Sequence, residues 1–433
     1  MEKQLSGWSR NKFLRCKTFE PKNLTELQKF KIKNLIPRGM GRSYGDSSIQ
    51  KKTTLITKNL NKVIYLNTKK KIIEVESGIK IKDLLKIIIP KNLFLPVTPG
   101  SKYISIGGMV ASDVHGKNHH HLGSFRNHIL ELKIIDERGK IFKCSKTKNK
   151  NLFNYSIGGM GLTGIIYSCK FRLISIKSDK IIQEKIKTKN LSETIKVLKD
   201  SNNWEYNVGW IDSSAGFKSL GRSIVFRGNH HTKVKKEKLS FNDNYTINLK
   251  RKFPSWIMNF ITIKLLNTIY YYFNFSNKSF VKLTEYFYQL DKIKNWNLIY
   301  GNKGFISYQL VIPEKDSFKA INQILNILLV NKCFSFVSVI KFLGKNDGYN
   351  SFGVRGFTLV FDFPIYKNIY STLKKVNEMV IRFKGRVYLC KDSTLNEKQF
   401  KQMNTGFHNK EFIQIRKNKK KYFNSEQSQR LKI

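Results

Sequence analysis

The chain is organised around the stretch PVTPGSKYISIGGMVASDVHGKN, which runs from Pro96 to Asn118. It joins a rigid Pro-x-x-Pro-Gly turn to two adjacent glycines, Gly107 and Gly108, which small residues follow up to His115. Adjacent glycines lack the Cβ atoms that would keep another molecule away from the backbone. Free backbone N–H groups in such a turn form a concave site for an anion such as a pyrophosphate. A glycine-rich turn between core elements would equally account for the paired glycines alone.

Two further glycine-rich segments favour a binding site over a simple turn. The first reads PRGMGRSYGD from Pro37 to Asp46, and the second reads GGMGLTGII from Gly158 to Ile166. All three segments are poor in charge, whereas the whole chain has 80 Lys and Arg residues against 30 Asp and Glu. We therefore predict that the three loops meet in one site.

Several short phrases carry a resemblance to a known family: GMGRSYGD at 39–46, DVHGKNHH at 113–120, LDKIKNWN at 290–297, DFP at 362–364 and CKDS at 390–393. On these residues the chain resembles flavoproteins of the vanillyl-alcohol-oxidase superfamily with a PCMH-type FAD-binding domain. Within that superfamily it is most similar to oxidases of polyprenyl-phosphate-linked ribose. The resemblance extends from about Trp8 to the C-terminus.

The resemblance implies an α+β fold with two domains. The FAD-binding domain would be discontinuous, with residues 1–179 completed by residues 386–433. Residues 180–385 would form a substrate-binding domain on a mixed or antiparallel sheet, with an apolar lid or membrane-facing segment near residues 250–275.

FAD is the cofactor that the resemblance implies, and we expect it to be noncovalent. Many relatives tether FAD to the histidine of a Gly-His-Ser loop, but Gly41-Arg42-Ser43 places an arginine there, and arginine cannot form that bond. The predicted FAD-binding residues are Pro37, Arg38, Gly39, Met40, Gly41, Arg42, Ser43, Tyr44, Gly45, Asp46, Ser47, Gly100, Ser105, Ile106, Gly107, Gly108, Ser112, Asp113, Val114, His115, Gly123, Ser124, Gly161, Gly164, Ile166 and Tyr388.

Oxidation of an alcohol by a flavin removes a hydride from carbon and a proton from the hydroxyl, so the protein must supply a proton acceptor. The resemblance implies four catalytic residues, Lys391, Tyr44, Lys117 and His115, and four substrate-binding residues, Gln309, Lys341, Tyr388 and Asp362. A lysine is a base only where burial or nearby cations lower its pKa, and Lys117 could be such a cation for Lys391. Alternatively, both lysines bind the substrate's phosphate or hydroxyls as charged donors.

The implied reaction is oxidation of the C2 hydroxyl of a polyprenylphosphoryl-β-D-ribose to the 2-keto sugar. A short-chain dehydrogenase/reductase partner would complete the C2 epimerisation, giving a lipid-linked arabinose for cell wall biosynthesis. One alternative is a soluble-sugar enzyme, an aldonolactone or alditol oxidase such as a D-arabinono-1,4-lactone oxidase. Arg42 and the apolar segment around Trp256 disfavour it. The other is a basic membrane- or nucleic-acid-binding protein that has lost catalysis.

The net charge of +50 raises the question of an anionic partner. The lysines are dispersed, which is typical of a solvated basic surface, and no nucleic-acid-reading motif is present, so we expect no nucleic acid partner. An anionic membrane or a phosphorylated substrate is the remaining interpretation. The run His119-His120-His121 has no carboxylate or cysteine at ligand spacing, so we expect no metal.

The segment from Phe253 to Phe273 is the most apolar and aromatic part of the chain, although Lys264 and Asn267 interrupt it. Its rings and the flanking bases Lys250, Arg251 and Lys252 suit a membrane interface, whereas a buried core helix is the equal alternative. No signal-peptide pattern is visible. We expect a monomer that is cytoplasmic and peripherally associated with a membrane.

Local patterns predict hairpins at 63–66 with 71–75 and at 129–135 with 140–144, and a helix from Ile81 to Ile89. Further strands are predicted at 161–173, 210–212, 224–228, 304–311, 334–342 and 357–363, and helices at 316–329 and 366–383. Asn242–Asn244 suggests an exposed linker. The charge run Arg416–Lys421 is typical of a solvated helical face.

Overall fold

Two sheets arise from the first part of the chain. The computed structural model describes residues 1–29, 34–232, 239–241, 247–345, 348–403, 405–418 and 422–433. The first sheet is mixed and has four strands. Its strands are, in spatial order, Glu2–Ser6, Phe13–Phe19, Thr53–Ile56 and Leu35–Arg38. An antiparallel five-stranded sheet follows, in the order Val63–Asn67, Ile72–Glu76, Ile165–Arg172, Ile129–Ile135 and Ile141–Ser145. Both predicted hairpins are confirmed here.

The helix Ile81–Ile88 packs on this five-stranded sheet. Its Ile81, Leu84, Leu85 and Ile88 are fully buried at helical spacing and join a core with the inward residues of the sheet. The helix ends where Pro90 follows, as predicted, because proline cannot donate the next backbone hydrogen bond.

A third sheet has eight strands, and each of its pairings is antiparallel. Their spatial order is Asn277–Lys282, Lys180–Thr188, Ser223–His230, Tyr206–Ile211, Ser338–Leu343, Gly356–Pro364, Phe305–Pro313 and Arg386–Val387. Helices Ser317–Val330 and Ile369–Arg382 cover one face with buried aliphatic side chains. The predicted α+β class is confirmed, while the boundaries at residues 179 and 385 stay predictions.

The remaining elements are short. Two-stranded pairs join Leu93–Phe94 to Ile174–Ser175 and Ile247–Asn248 to Ile293–Lys294. The other helices are Leu24–Lys29, Ile106–Ala111, His119–Leu122, Lys150–Ser156, Leu191–Asp200, Phe260–Phe273, Leu283–Phe287, Glu397–Met403, Lys410–Asn418 and Glu426–Arg430. The strand predicted at 161–173 begins only at Ile165, because Gly161 and Gly164 have positive φ and form a turn. The predicted linker Asn242–Asn244 lies outside the described residues.

The C-terminal segment is part of the core, which corrects one expectation. Arg416 was expected on a solvated face, but its side chain is only 3% exposed. Its guanidinium donates to the carbonyl oxygens of Leu162, Phe423 and Ile433. Five donors in a planar fork let one arginine satisfy several chain segments at once, which a charge pattern alone does not reveal.

Arg430 ties two distant parts of the chain together near the C-terminus. Its guanidinium lies 2.8 Å from Asp46 Oδ1 and 2.9 Å from Asp392 Oδ2. Asp392 is fully buried and also accepts hydrogen bonds from the backbone N–H groups of Thr394 and Leu395. The arginine therefore fixes the first glycine-rich loop against the segment that carries Lys391.

Replacing this arginine tests how much the fold depends on it. Arg430→Ala leaves the buried Asp392 carboxylate without its cation, and we expect a loss of about 3 kcal/mol in the free energy of unfolding. Arg355→Ala is the matched control, because Arg355 pairs with Glu314 on the surface and should cost under about 1 kcal/mol. Chemical denaturation of both variants measures the difference, and equal losses would contradict a structural role for Arg430.

Candidate active site

The organising stretch folds into a short helix, Ile106–Ala111, at the centre of three loops. Ser105 caps this helix, and its Oγ accepts a hydrogen bond from Gly108 N at 3.3 Å. A Cβ on Gly39 would lie 2.0 Å from Ser105 Oγ, and one on Gly107 would lie 2.7 Å from Ser77 Cβ. Glycine is therefore required at both positions for the loops to approach this closely.

A groove runs between the three loops. Sixteen of the predicted FAD-binding residues line it: Pro37, Arg38, Gly39, Met40, Gly41, Arg42, Ser43, Ser47, Ser105, Gly107, Gly108, Ser112, Val114, Gly161, Gly164 and Ile166. The sequence reasoning missed Ser48, Thr57, Ser77, Ile104, Ala111, Met160 and Cys390, which line the groove as well. Ile104, Ala111 and Met160 lie within the glycine-rich stretches and Cys390 within the phrase CKDS, so their segments were indicated although the residues were not selected. Ser48, Thr57 and Ser77 belong to none of these motifs, so no local signal marks them.

The other predicted FAD-binding residues lie elsewhere. Tyr44, Gly100, His115 and Tyr388 line a neighbouring cavity. Gly45 packs against the carbonyl of Asp392, and Asp46 pairs with Arg430. Ile106 is in the core, whereas Asp113 binds Ser351 and Arg126. Gly123 and Ser124 form the turn after helix His119–Leu122, where Ser124 bridges to His115.

The neighbouring cavity has a volume of about 550 Å³. It shares Arg42, Ile104, Val114 and Cys390 with the groove, so the two spaces communicate. All eight predicted catalytic and substrate-binding residues line it: Tyr44, His115, Lys117, Gln309, Lys341, Asp362, Tyr388 and Lys391. Three of them, Gln309, Lys341 and Asp362, come from adjacent strands of the large sheet. Their roles remain predictions.

His115 is the centre of a hydrogen-bonded chain in this cavity. Gln309 Nε2 lies 2.8 Å from His115 Nε2 and also donates to Thr358 Oγ1 at 3.0 Å. Lys341 Nζ lies 3.1 Å from His115 Nδ1. If the Gln309 amide donates to Nε2, then Nδ1 carries the single imidazole proton and must donate to a neutral Lys341 amine.

The pKa values of Lys341 and His115 are consistent with a neutral Lys341 amine. Burial, together with the charges of Lys391 and Lys117, lowers the pKa of Lys341 to about 7. Burial and the nearby Lys341 hold the pKa of His115 well below its usual value, so this imidazole is neutral at pH 7. Because Lys341 loses its proton near neutral pH, it can accept the hydrogen bond from His115.

Lys391 has a carboxylate nearby. Burial lowers its pKa, while the charge of Asp362 acts in the opposite direction. Burial raises the pKa of Asp362 to about 6, and its Oδ1 has no hydrogen-bond partner among the described residues. Lys391 Nζ also lies 4.8 Å above the ring of Tyr44, whose pKa is raised by burial, so the phenol keeps its proton and can donate it.

Lys117 is held against aromatic rings. Its Nζ donates to the Tyr286 carbonyl and lies 4.3 Å from the centre of the Tyr286 ring. Burial lowers its pKa to about 7. Lys117, Lys341 and Lys391 thus bring three lysines into one cavity that Asp291 and Asp362 also line, an arrangement suited to an anionic or hydroxyl-rich ligand.

Three residues outside the predicted set contact residues of the site: Trp8, Asp291 and Phe352. Arg42 stacks at 3.8 Å on Trp8, which lines the cavity. Asp291 accepts hydrogen bonds from Ser101 Oγ and Lys102 N, which closes the Pro-Gly turn. Phe352 stacks on His115 with ring centres 5.8 Å apart. The phrase LDKIKNWN indicated Asp291 as part of a motif, but nothing indicated Trp8 or Phe352.

Comparison of the sequence with known proteins identifies the family. A family model described as an FAD binding domain matches residues 24–145. Decaprenylphosphoryl-beta-D-ribose oxidase of Mycolicibacterium smegmatis is 30% identical over 399 residues, covering 89% of this chain and 86% of that protein. The chain belongs to this oxidase family. The resemblance drawn from the sequence is therefore confirmed, and the protein is an FAD-dependent oxidoreductase.

More distant relatives include lactone oxidases. L-gulonolactone oxidase of Scyliorhinus torazame is 22% identical over 409 residues, covering 92% of this chain and 89% of that protein. A putative D-arabinono-1,4-lactone oxidase of Neurospora crassa is 27% identical over 181 residues, covering 38% of this chain and 32% of that protein.

The groove of the oxidase fits FAD. It is walled by backbone, and the buried hydroxyls of Ser47 and Ser77 have no hydrogen-bond partner among the described residues. Burial lowers the pKa of Arg38 to about 10, so this arginine remains a cation at neutral pH beside the groove. Arg38 and the backbone of the three loops would hold the cofactor.

A glycine substitution tests the groove. In Gly39→Ala the new Cβ displaces Ser105 Oγ, and overpacking of this kind costs about 1–3 kcal/mol. We expect FAD affinity to fall at least about tenfold, measured by fluorescence titration of the apoprotein. Gly216→Ala is the control, because a Cβ there meets no atom within 4 Å and Gly216 lines neither the groove nor the cavity. Equal affinity in both variants would show that FAD binds elsewhere.

The protonation of Lys341 gives a prediction about His115. Above pH 7 the neutral amine accepts from Nδ1–H, whereas below pH 7 the ammonium has no lone pair and Nδ1 becomes the acceptor. We expect the His115 proton to move from Nδ1 to Nε2 as the pH falls through about 7. Histidine-selective ¹⁵N NMR on the FAD-bound enzyme measures the tautomer, with Lys341→Met as the control that should show no transition. A pH-independent tautomer in the unmodified oxidase would rule out a neutral Lys341.

Proposed function

We propose that this oxidase converts the C2 hydroxyl of a polyprenylphosphoryl-β-D-ribose into the 2-keto sugar. The observation that carries the proposal is that two chemically different groups of side chains line the same cavity. We call Lys117, Lys341, Lys391, Asp362 and His115 its cationic end, and the mutually packed rings of Trp210, Tyr270 and Phe336 its aromatic end. A ligand with a phosphate, hydroxyls and an apolar chain matches both ends.

The residues of the cationic end have separable tasks. FAD, when bound, supplies the acceptor for the hydride of the alcohol carbon. Lys391 in its neutral form accepts the hydroxyl proton, and the neighbouring Asp362 carboxylate stabilises the resulting ammonium. Tyr44 stays protonated and donates a hydrogen bond to the sugar. Lys117 and Lys341 bind the phosphate or ring hydroxyls.

The relatives support this choice of substrate. This chain covers 86% of the length of a relative that is 30% identical to it, and that relative is named decaprenylphosphoryl-beta-D-ribose oxidase. A lactone or alditol oxidase is the second candidate, which the 22% identity to L-gulonolactone oxidase favours. The aromatic end of the cavity disfavours it, because a small soluble sugar leaves that end unfilled.

Two partners complete the proposal. The 2-keto sugar would pass to a short-chain dehydrogenase/reductase, whose hydride addition to the ketone gives the lipid-linked arabinose. The polyprenyl chain would keep the substrate in a membrane, so the oxidase would work at a membrane surface. Noncovalent FAD is proposed too, since Arg42 occupies the position of the tethering histidine and stacks on Trp8.

An anaerobic reduction experiment tests the function. We expect the purified protein to be yellow, to release its FAD on acid precipitation, and to bleach on addition of farnesylphosphoryl-ribose. Free ribose and aldonolactones should leave the spectrum unchanged. Bleaching by a lactone but not by the lipid-linked sugar would establish the second candidate, and a colourless protein after added FAD would exclude both.

The same assay tests Lys391. Lys391→Met removes the proton acceptor, and we expect the rate of flavin reduction to fall by about 100-fold or more while FAD stays bound. Lys374→Met, on the exposed side of helix Ile369–Arg382, is the control. A rate within about threefold of the unmodified enzyme would leave Lys391 a binding group and not the base.

A further inference from the structure

Helix Phe260–Phe273 carries apolar side chains on the side that faces solvent. Ile261 is 65% exposed, Leu265 58% and Phe273 75%, and Ile269 lies between the last two on the same stripe. Trp256 before the helix and Phe275 after it extend the stripe, with exposures of 75% and 71%. We call this stripe the outer face. A contiguous exposed apolar surface of this kind marks an interaction site.

The orientation of the helix is fixed by polar contacts on its other side. Asn267 is fully buried and donates to Asp212 Oδ1, Ser214 Oγ and the Ser335 carbonyl at 3.0–3.2 Å. One turn further, the Tyr271 hydroxyl donates to the Thr188 carbonyl at 3.0 Å. Turning the outer face inward would break these buried hydrogen bonds, so the apolar stripe is a stable surface.

Positive charge surrounds the outer face. From Ile247 to Thr284 the sequence contains no Asp or Glu, and its six basic residues are Lys250, Arg251, Lys252, Lys264, Lys278 and Lys282. Lys332 lies 5.3 Å from the Phe260 ring at one end of the helix, and Lys187 lies 5.3 Å from the Tyr272 ring at the other. Rings and lysines in this arrangement fit the headgroup region of a lipid bilayer.

The charge also selects among possible occupants. A second copy of the chain would bring another net charge of +50 and the same lysines to the interface, so like charges would oppose association. The surface of an anionic bilayer has the opposite charge and accepts apolar side chains. Among the described residues no helix is long and apolar enough to cross a membrane, so the contact would be interfacial.

The inner side of the same helix borders the cavity. Tyr270 lines the aromatic end and packs on Trp210 with ring centres 4.7 Å apart. Trp210 Nε1 in turn donates to the Phe336 carbonyl at 2.9 Å. One helix therefore presents its outer face to the surroundings and a ring to the substrate cavity.

We propose that the outer face binds the surface of an anionic lipid bilayer and that the adjoining aromatic end of the cavity receives the substrate's prenyl chain from that bilayer. Membrane binding stands on the helix alone, whereas the delivery of the prenyl chain rests on the proposed function. The helix lies flat in the headgroup region, where its length of about 21 Å places the outer face along the membrane.

Co-sedimentation with vesicles tests the first part. The FAD-bound oxidase should bind vesicles of phosphatidylcholine mixed with phosphatidylglycerol, and binding should weaken in pure phosphatidylcholine or when salt rises from about 0.1 to about 0.5 M. The variant Ile261→Glu with Leu265→Glu should lower the partition coefficient at least about tenfold. Its matched control is Phe318→Glu with Val330→Glu, which adds the same charge at exposed apolar positions of helix Ser317–Val330.

Three outcomes of these measurements would contradict the proposal. Equal loss of binding in both double variants, or no vesicle binding by the unmodified oxidase, would overturn the proposal. So would a dimer in sedimentation velocity that only Ile261→Glu with Leu265→Glu dissociates, because the outer face would then join two copies.

The second part is tested with two substrates. Oxidation of decaprenylphosphoryl-ribose embedded in vesicles should slow at least about tenfold in the outer-face variant. Oxidation of soluble farnesylphosphoryl-ribose without vesicles should not change. If the unmodified oxidase binds vesicles but oxidises neither lipid, the proposed function fails while the membrane surface stands. Equal slowing of both substrates would overturn the delivery role.

Discussion

The backbone hydrogen bond from Tyr44 N–H to the Cys390 carbonyl, 2.8 Å long, joins the first glycine-rich loop to the segment that carries Lys391. It holds the first glycine-rich loop against the segment that returns from the large sheet. Gly45 is required beside it, because a Cβ there would lie 2.0 Å from the Asp392 carbonyl oxygen. Arg430 reinforces the same contact from the C-terminus through Asp46 and Asp392. The position of Lys391 relative to the groove depends on this junction.

The electrostatics of the cavity follow from burial at the junction. Several buried lysines line one cavity of low dielectric, so the charged forms of the lysines are disfavoured and their pKa values fall. A lysine with a pKa near 7 exchanges its proton at physiological pH, which an exposed lysine does not. Strand Ser338–Leu343 of the large sheet brings Lys341 into this cavity, where the charges of Lys391 and Lys117 add to the effect of burial on its pKa. The fold thus turns ordinary lysines into groups able to accept a proton.

The surface charge has a different origin and a different consequence. Most of the Lys and Arg residues are dispersed, and the exposed ion pairs that some of them form with Asp and Glu contribute little to stability. Around helix Phe260–Phe273, however, basic residues lie beside exposed aromatic and aliphatic side chains, and the sequence from Ile247 to Thr284 contains no Asp or Glu. The sequence reasoning left a membrane interface and a buried core helix at equal weight. The helix combines them, because Ile263, Asn267 and Tyr271 are buried while the opposite stripe is exposed.

The sequence by itself determined the three glycine-rich loops and the hairpins, because glycine spacing and apolar periodicity are local signals, and its resemblance to known flavoproteins implied the α+β class and the family. It also indicated Lys391, Lys117 and His115 through short phrases that carry the resemblance. Only the tertiary structure decided that Arg416 is buried, that Cys390 joins groove and cavity, and that Trp8 and Phe352 stack on Arg42 and His115. These contacts join residues that are tens to hundreds of positions apart in the sequence. No local pattern around either residue predicts which partner it will contact. Burial and pKa depend on such long-range packing, so the chemistry of the site emerges only when the chain has folded.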